Sequence, residues 1–124
     1  MGSIGANQGN NTTSTNRREE AVKGLIFGTA IITDNYVDID GYSNKKSEAA
    51  MLRELAKVVR PYSEAEADNL NDIVRFNEMN QIPYDGGSYI LEWEPVNGSA
   101  GRFNENEEYE QKDANWYVHI RFGK

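Results

Sequence analysis

The chain has 124 residues, no Cys, one His, 13 Lys plus Arg and 20 Asp plus Glu, for a formal charge of −7. That length points to one domain; the lack of Cys excludes disulfide scaffolds, zinc ribbons, iron–sulfur sites and cysteine nucleophiles, and a lone His excludes paired-His metal sites. Hydrophobic residues reach 38%, enough for a core, while the longest apolar run, Leu25 to Ile32, is broken at Gly28 and Thr29 and falls short of the roughly 18 residues of a membrane span.

In chain order, residues 1 to 16 hold only Met1, Ile4 and Ala6 as apolar side chains among Asn, Thr, Ser, Gly and Gln. Such a stretch cannot offset an ordering cost of about 1–2 kcal/mol per residue, so a disordered tail is expected, followed by a single α+β domain over 17–124. It carries neither the basic region nor the apolar run of a secretory signal, which makes the cytoplasm the expected compartment. Asn16 with Glu19 resembles a capping box, and Val22, Leu25 and Ile26 recur at helical spacing, so a short helix is expected from about Arg17 to Ile26. From Thr29 the residues become β-branched, and Asp34-Asn35 fits a two-residue turn. Folding there sets Ile32 beside Val37 and Ala30 beside Ile39, with Thr33, Tyr36, Asp38 and Asp40 on the wet side. Ile26 and Ala30 also fit a helical stripe, so residues 27–33 remain open between a strand and a continuation of the first helix.

Met51, Leu52, Leu55, Val58 and Val59 define a second helix from about Lys45 to Arg60, which Pro61 stops. Ser63 with Glu66 is a further capping box, and Leu70, Ile73 and Val74 carry a third helix toward Asn80. The linker Pro61-Tyr62 is short enough to make these helices packed neighbours. Pro83-Tyr84-Asp85-Gly86-Gly87 is turn chemistry, after which Tyr89, Leu91 and Trp93 alternate with Ile90, Glu92 and Glu94. At the far end Trp116, Val118, Ile120 and Phe122 alternate with Tyr117, His119 and Arg121. Asn97-Gly98-Ser99 reads as a hairpin loop that sets Trp93 beside Phe103 and Glu94 beside Arg102, and residues 104–115 as a solvated loop or polar edge. The expected fold is therefore α+β: a mostly antiparallel sheet of four to five strands with two central helices on one face, in the order α-β-β-α-α-β-β(-β).

Charge is unevenly placed: residues 1–60 carry eight basic and seven acidic side chains, residues 61–124 five basic and thirteen acidic. Asp38-Ile39-Asp40-Gly41 does not form a calcium loop, because aligning Gly41 with that loop's glycine puts Tyr36 at the first ligand position and Ser47 where a bidentate Glu is required. No phosphate-cradling glycine loop, nucleophile elbow or paired-His zinc motif is present, so no cofactor and no metal are expected.

The strand parities place Glu92, Glu94, Arg102, Tyr117, His119 and Arg121 on one wet face. A carboxylate base, a His acid and an Arg clamp suffice for attack of an RNA 2′-hydroxyl on the adjacent phosphate. The order Glu, Arg, late His on successive antiparallel strands, with the Leu91-Glu92-Trp93-Glu94-Pro95 stretch, is similar to microbial ribonucleases of the barnase and T1 type. That resemblance implies Glu92 or Glu94 as base, Arg102 as phosphate clamp and His119 as acid. The chain departs from the family in the ten-residue spacing from Glu92 to Arg102 and in the hairpin before the central helices. The same charges also serve as ordinary cross-strand pairs, worth about 0.2–1 kcal/mol each.

The leading expectation is a small acidic binding module, an inhibitory role included, whose negatively charged C-terminal half engages a protein with a basic surface through Tyr117, Arg121, Glu105, Glu107, Glu108 and Glu110, with Tyr62, Tyr84 or Tyr109 as further anchors. The metal-independent ribonuclease is the alternative. Net acidity argues against nucleic acid except as a substrate under that alternative, and no membrane association is expected. The chain is expected as a monomer or homodimer.

Overall fold

A computed structural model describes residues 16–81 and 84–124; the expected tail lies outside them apart from Asn16. The elements are β1 (Arg18–Ala21), β2 (Ile26–Ile32), β3 (Tyr36–Ser43), α1 (Glu48–Val59), α2 (Glu64–Arg75), a 3₁₀ turn (Met79–Gln81), β4 (Tyr84–Asp85), β5 (Ile90–Pro95), β6 (Ser99–Phe103), β7 (Tyr109–Asp113) and β8 (Trp116–Gly123). Six strands form an antiparallel sheet in the order β1-β2-β3-β8-β5-β4, and β6 with β7 form a separate ribbon. The α+β architecture with two central helices is the expected one. Neither helix is long and apolar enough to cross a membrane.

The first hairpin has the expected register: Ile32 pairs with Val37 and Ala30 with Ile39, and the Thr33 amide donates to the Tyr36 carbonyl across Asp34-Asn35. Residues 27–32 are thereby strand rather than helix. The expected helix over 17–26 is corrected to an edge strand, with Arg18 opposite Ile32 and Ala21 opposite Thr29. A helix that short is marginal on its own. Gly24 takes φ +101°, outside helical geometry, and pairing with β1 satisfies backbone groups that β2 would otherwise leave open at the sheet edge.

Both remaining helices begin where their capping residues stand. The Ser47 hydroxyl accepts from the Ala50 amide at 3.1 Å, and the Ser63 hydroxyl from the Glu66 amide at 3.2 Å, so each oxygen satisfies a donor that the first turn leaves unpaired. Met51, Leu52, Leu55, Ala56 and Val59 on α1 and Ala67, Leu70, Ile73 and Val74 on α2 are buried against one sheet face. That face consists of Ala30, Ile32, Val37, Ile39, Leu91, Trp93, Val118, Ile120 and Phe122. Trp93 and Trp116 share it, and the Trp93 indole N–H donates to Glu48 at 2.7 Å, tying β5 to the first turn of α1.

The expected hairpin about Asn97-Gly98-Ser99 is also corrected. β5 pairs with β8, so Trp93 faces Val118 and Glu94 faces Tyr117. The chain continues through Val96–Gly98 into β6, which pairs with β7: Phe103 faces Tyr109 and Arg102 faces Glu110. Three residues, 96–98, oppose two, 114–115, between these ladders, a bulge that marks where the ribbon departs from the sheet. Residues 109–113 are therefore strand, and 104–108 make the turn.

Candidate functional site: the open face of the sheet

Because strand side chains alternate, burying one face beneath the helices sends every second residue to the other. The registers assemble these into three rungs. Ile31, Asp38, Arg121 and Ile90 form the first; Thr29, Asp40, His119 and Glu92 the second; Tyr42, Tyr117 and Glu94 the third. Among the described side chains this face thus gathers four carboxylates, Asp38, Asp40, Glu92 and Glu94, around one Arg and one His.

The centre is a charge network. Asp38 is 8% exposed. Its carboxylate accepts from Arg121 Nε at 2.8 Å and lies 3.0 Å from His119 Nε2, while His119 Nδ1 lies 3.5 Å from Glu92. Both imidazole nitrogens thus face carboxylates. The Arg121 guanidinium also stacks over the Tyr36 ring at 4.3 Å. Beside this network, burial holds Asp40 above the usual carboxylate range; the Asp38 charge adds to the rise, while His119 and a hydrogen bond from Tyr117 oppose it. Burial, then the charges of Asp40 and Glu92, push the Tyr117 phenol up to about 12, so it remains a donor at neutral pH.

A raised native value means that folded Asp40 binds its proton more tightly than the unfolded chain does. Its contribution is therefore most favourable below the ordinary value near 3.8 and is lost as pH rises through the native value. Asp40→Asn is accordingly expected to be more stable than wild type at pH 7, with the advantage shrinking as pH falls toward 4. Urea midpoints across that range measure it, and a variant less stable at pH 7 would contradict the sign.

An aromatic track runs along the third rung. Tyr42 meets Tyr117 edge-on at 5.5 Å between centroids, and Phe27 meets Tyr42 at 6.4 Å. Phe27 sits at the irregularity in the β2–β3 ladder with φ 54°, a left-handed conformation that a bulky residue adopts only under constraint. Next to it the strands approach closely at Gly28 and Gly41: a Cβ on Gly41 would lie 3.0 Å from Gly28 Cα and from Leu25 Cβ.

The ribbon returns to this track. Arg102 lies 4.4 Å over the Phe27 ring while its Nε donates to Glu110 at 3.1 Å, which holds the Glu110 carboxyl below its usual range. Tyr109 crosses Gly101, whose missing Cβ would fall 2.0 Å from the phenol oxygen, and meets Phe103 edge-on at 5.4 Å between centroids. Phe103 is 72% exposed and Tyr109 59%. The turn beyond them is held by Asn104 Oδ1, which accepts from the amides of Asn106 and Glu108, and presents Glu105, Glu107 and Glu108 to solvent.

Of the residues singled out in the sequence, Glu92, Glu94, Tyr117, His119 and Arg121 come together on the open face. Arg102, Glu105, Glu107, Glu108 and Glu110 belong to the ribbon, which corrects the expected Glu94–Arg102 pair. Among the other tyrosines, Tyr62 is half-buried and donates to Glu20, linking the α1–α2 turn to β1, and the Tyr84 side chain lies outside the described residues. Asp38, Asp40, Tyr42 and Phe27 complete the site without having been singled out. Their wet-side parity was readable for Asp38 and Asp40; the β3–β8 pairing that delivers them to His119 was not. The fold and site define an α+β domain with a helix-covered face and an acidic, aromatic open face. No family model matches the chain, and neither do any curated protein or solved structure.

Proposed function

We propose that the protein is a small acidic binding module that receives a basic protein partner on the open sheet face. The observation that carries this reading is the gathering of Asp40, Glu92 and Glu94 with Tyr42 and Tyr117 on two adjoining rungs. Carboxylates beside aromatic faces suit Lys and Arg side chains, which gain both charge-assisted hydrogen bonds and ring contacts. Arg102 on Phe27 is an internal instance of such a contact. The exposed Phe103 and Tyr109, with the turn carboxylates, extend the surface along the ribbon.

A nine-residue arginine peptide serves as the probe. Saturable binding is expected that weakens steeply between low and physiological salt. Removing two surface charges with Glu92→Gln and Glu94→Gln together should weaken it by about 5- to 30-fold, from roughly 0.5–1 kcal/mol per exposed charge. Glu64→Gln with Asp72→Asn on α2 should leave it near wild type. Equal losses in both pairs would reduce the effect to net charge and overturn the assignment.

The ribonuclease reading draws on one observation, the contact of His119 with Glu92. It needs an imidazole nitrogen free to meet substrate and an Arg free to clamp phosphate, whereas Asp38 faces the other nitrogen and also holds Arg121, and Arg102 donates to Glu110 on the ribbon. RNA cleavage by wild type and His119→Ala is therefore expected to be equal; loss of cleavage on substitution would move the assignment to the enzyme.

A further inference from the structure

Away from the open face, α1 carries a second stripe. Its core side is Met51, Leu52, Leu55, Ala56, Val58 and Val59; along the border of that side Ala50, Arg53, Glu54 and Lys57 recur at i, i+3, i+4 and i+7, with buried Val58 at the edge, one side of a 3.6-residue period. With Lys23 and Gly24 from the β1–β2 loop and Lys45 from the β3–α1 loop, these residues line a cleft of about 470 Å³. That size falls within the roughly 300–1,000 Å³ typical of small-molecule sites.

The charge of this cleft runs against that of the chain. Three separate segments bring four cations to it, Lys23, Lys45, Arg53 and Lys57, in a protein whose formal charge is −7. None of the four forms an ion pair with a described residue. Glu54 is the one carboxylate in the lining, and it accepts a hydrogen bond from the Ser43 hydroxyl at 2.6 Å, which holds it toward β3. The lining is not wholly polar. Ala50, Val58 and the aliphatic stems of the lysines give it apolar surface, and Gly24 is packed so closely that a Cβ there would lie 2.7 Å from Val58 Cγ2. A side chain at Gly24 would also meet the strain of φ +101°.

We propose that this cleft binds a small organic phosphate, a phosphoryl or pyrophosphoryl group carried on an apolar or aromatic body. A single carboxylate would answer one of four cations. A phosphoryl or pyrophosphoryl group spreads two or more charges over several oxygens, matching the Arg53 fork and the lysine point charges. The apolar lining leaves room for the organic body, which inorganic phosphate lacks. A soluble nucleotide and a phosphorylated lipid headgroup share this chemistry. The site is independent of the open face and stands or falls without it.

Calorimetric titration of the full chain with adenosine diphosphate, with pyrophosphate and with vesicles containing phosphatidylinositol bisphosphate tests the proposal. One-to-one saturable binding of the diphosphate, tighter than that of pyrophosphate, is expected. Arg53→Ala and Lys57→Gln, both at exposed positions and checked for retained helix content by circular dichroism, should each weaken it by about tenfold, the worth of one charge-assisted contact. Lys112→Gln on the ribbon should leave it unchanged. Vesicle binding that is lost in the same variants, with no binding of the soluble nucleotide, supports the site and assigns the lipid source. No saturation with any of the three, or equal affinity in all variants, overturns it.

Discussion

Ile39→Ala is expected to lower stability by about 2–5 kcal/mol, through lost transfer energy and the cavity left behind. Ile39 is fully buried on β3, between Ala30 of β2 and Ile120 of β8, so three strands bound the void and none can close it without breaking its ladder. A small domain has a total stability of about 5–15 kcal/mol, so this is a large share of the whole. With a urea slope of about 1–3 kcal/mol per molar, the midpoint should move by about 0.7 M or more. Ile31, the next residue to Ala30 on β2, looks onto the half-exposed open face opposite Asp38. Ile31→Ala should therefore cost well under half as much. Comparable losses would mean that both faces are covered and that the proposed binding surface is not open.

The second large effect belongs to Asp38. Its carboxylate serves both Arg121 and His119, with only 11% of its side chain exposed against 34% and 20% for its partners. Asp38→Ala removes the acceptor shared by two donors and should cost about 1–3 kcal/mol, the desolvation left uncompensated when a buried partner is removed. Asp38→Asn keeps one oxygen and should recover part of it. Urea denaturation at pH 7 measures both. A neutral Asp38→Ala would show that the network contributes nothing to folding, and would remove the reason to regard His119 and Arg121 as held in place.

The comparison of Asp38 with Arg102 shows what local sequence pattern conveys and where it stops. The polar–apolar alternation around Asp34-Asn35 contains the first hairpin complete to its residue pairs, because a one-residue slip would turn every apolar side chain to water. The capping serines with the apolar stripes behind them likewise contain α1 and α2. Tyr117, His119 and Arg121 are readable as wet-side residues by the same parity. The neighbour of β8 is not, since β3 lies some eighty residues earlier in the chain and a long-range pairing leaves no mark on local periodicity. Asp40 thus meets His119 with no signal to announce it. Arg102 was misplaced for a different reason: Gly98 looks like a hairpin turn, yet it sits in a bulge at φ 86°, beyond which the ribbon forms its own ladder. The Arg17–Ile26 helix fails where Val22, Leu25 and Ile26 show helical spacing but Gly24 and the open edge of β2 favour extended backbone.

We propose that basic partners dock on the open sheet face rather than on the acidic surface at large. Two-dimensional ¹⁵N–¹H spectra of the labelled chain, titrated with the nine-residue arginine peptide, test it most directly. Amide shifts are expected to concentrate at Asp40, Tyr42, Glu92, Glu94 and Tyr117 and at the ribbon around Arg102, with α2 silent. Shifts that are strongest along α2, or spread evenly over every acidic residue, would contradict it.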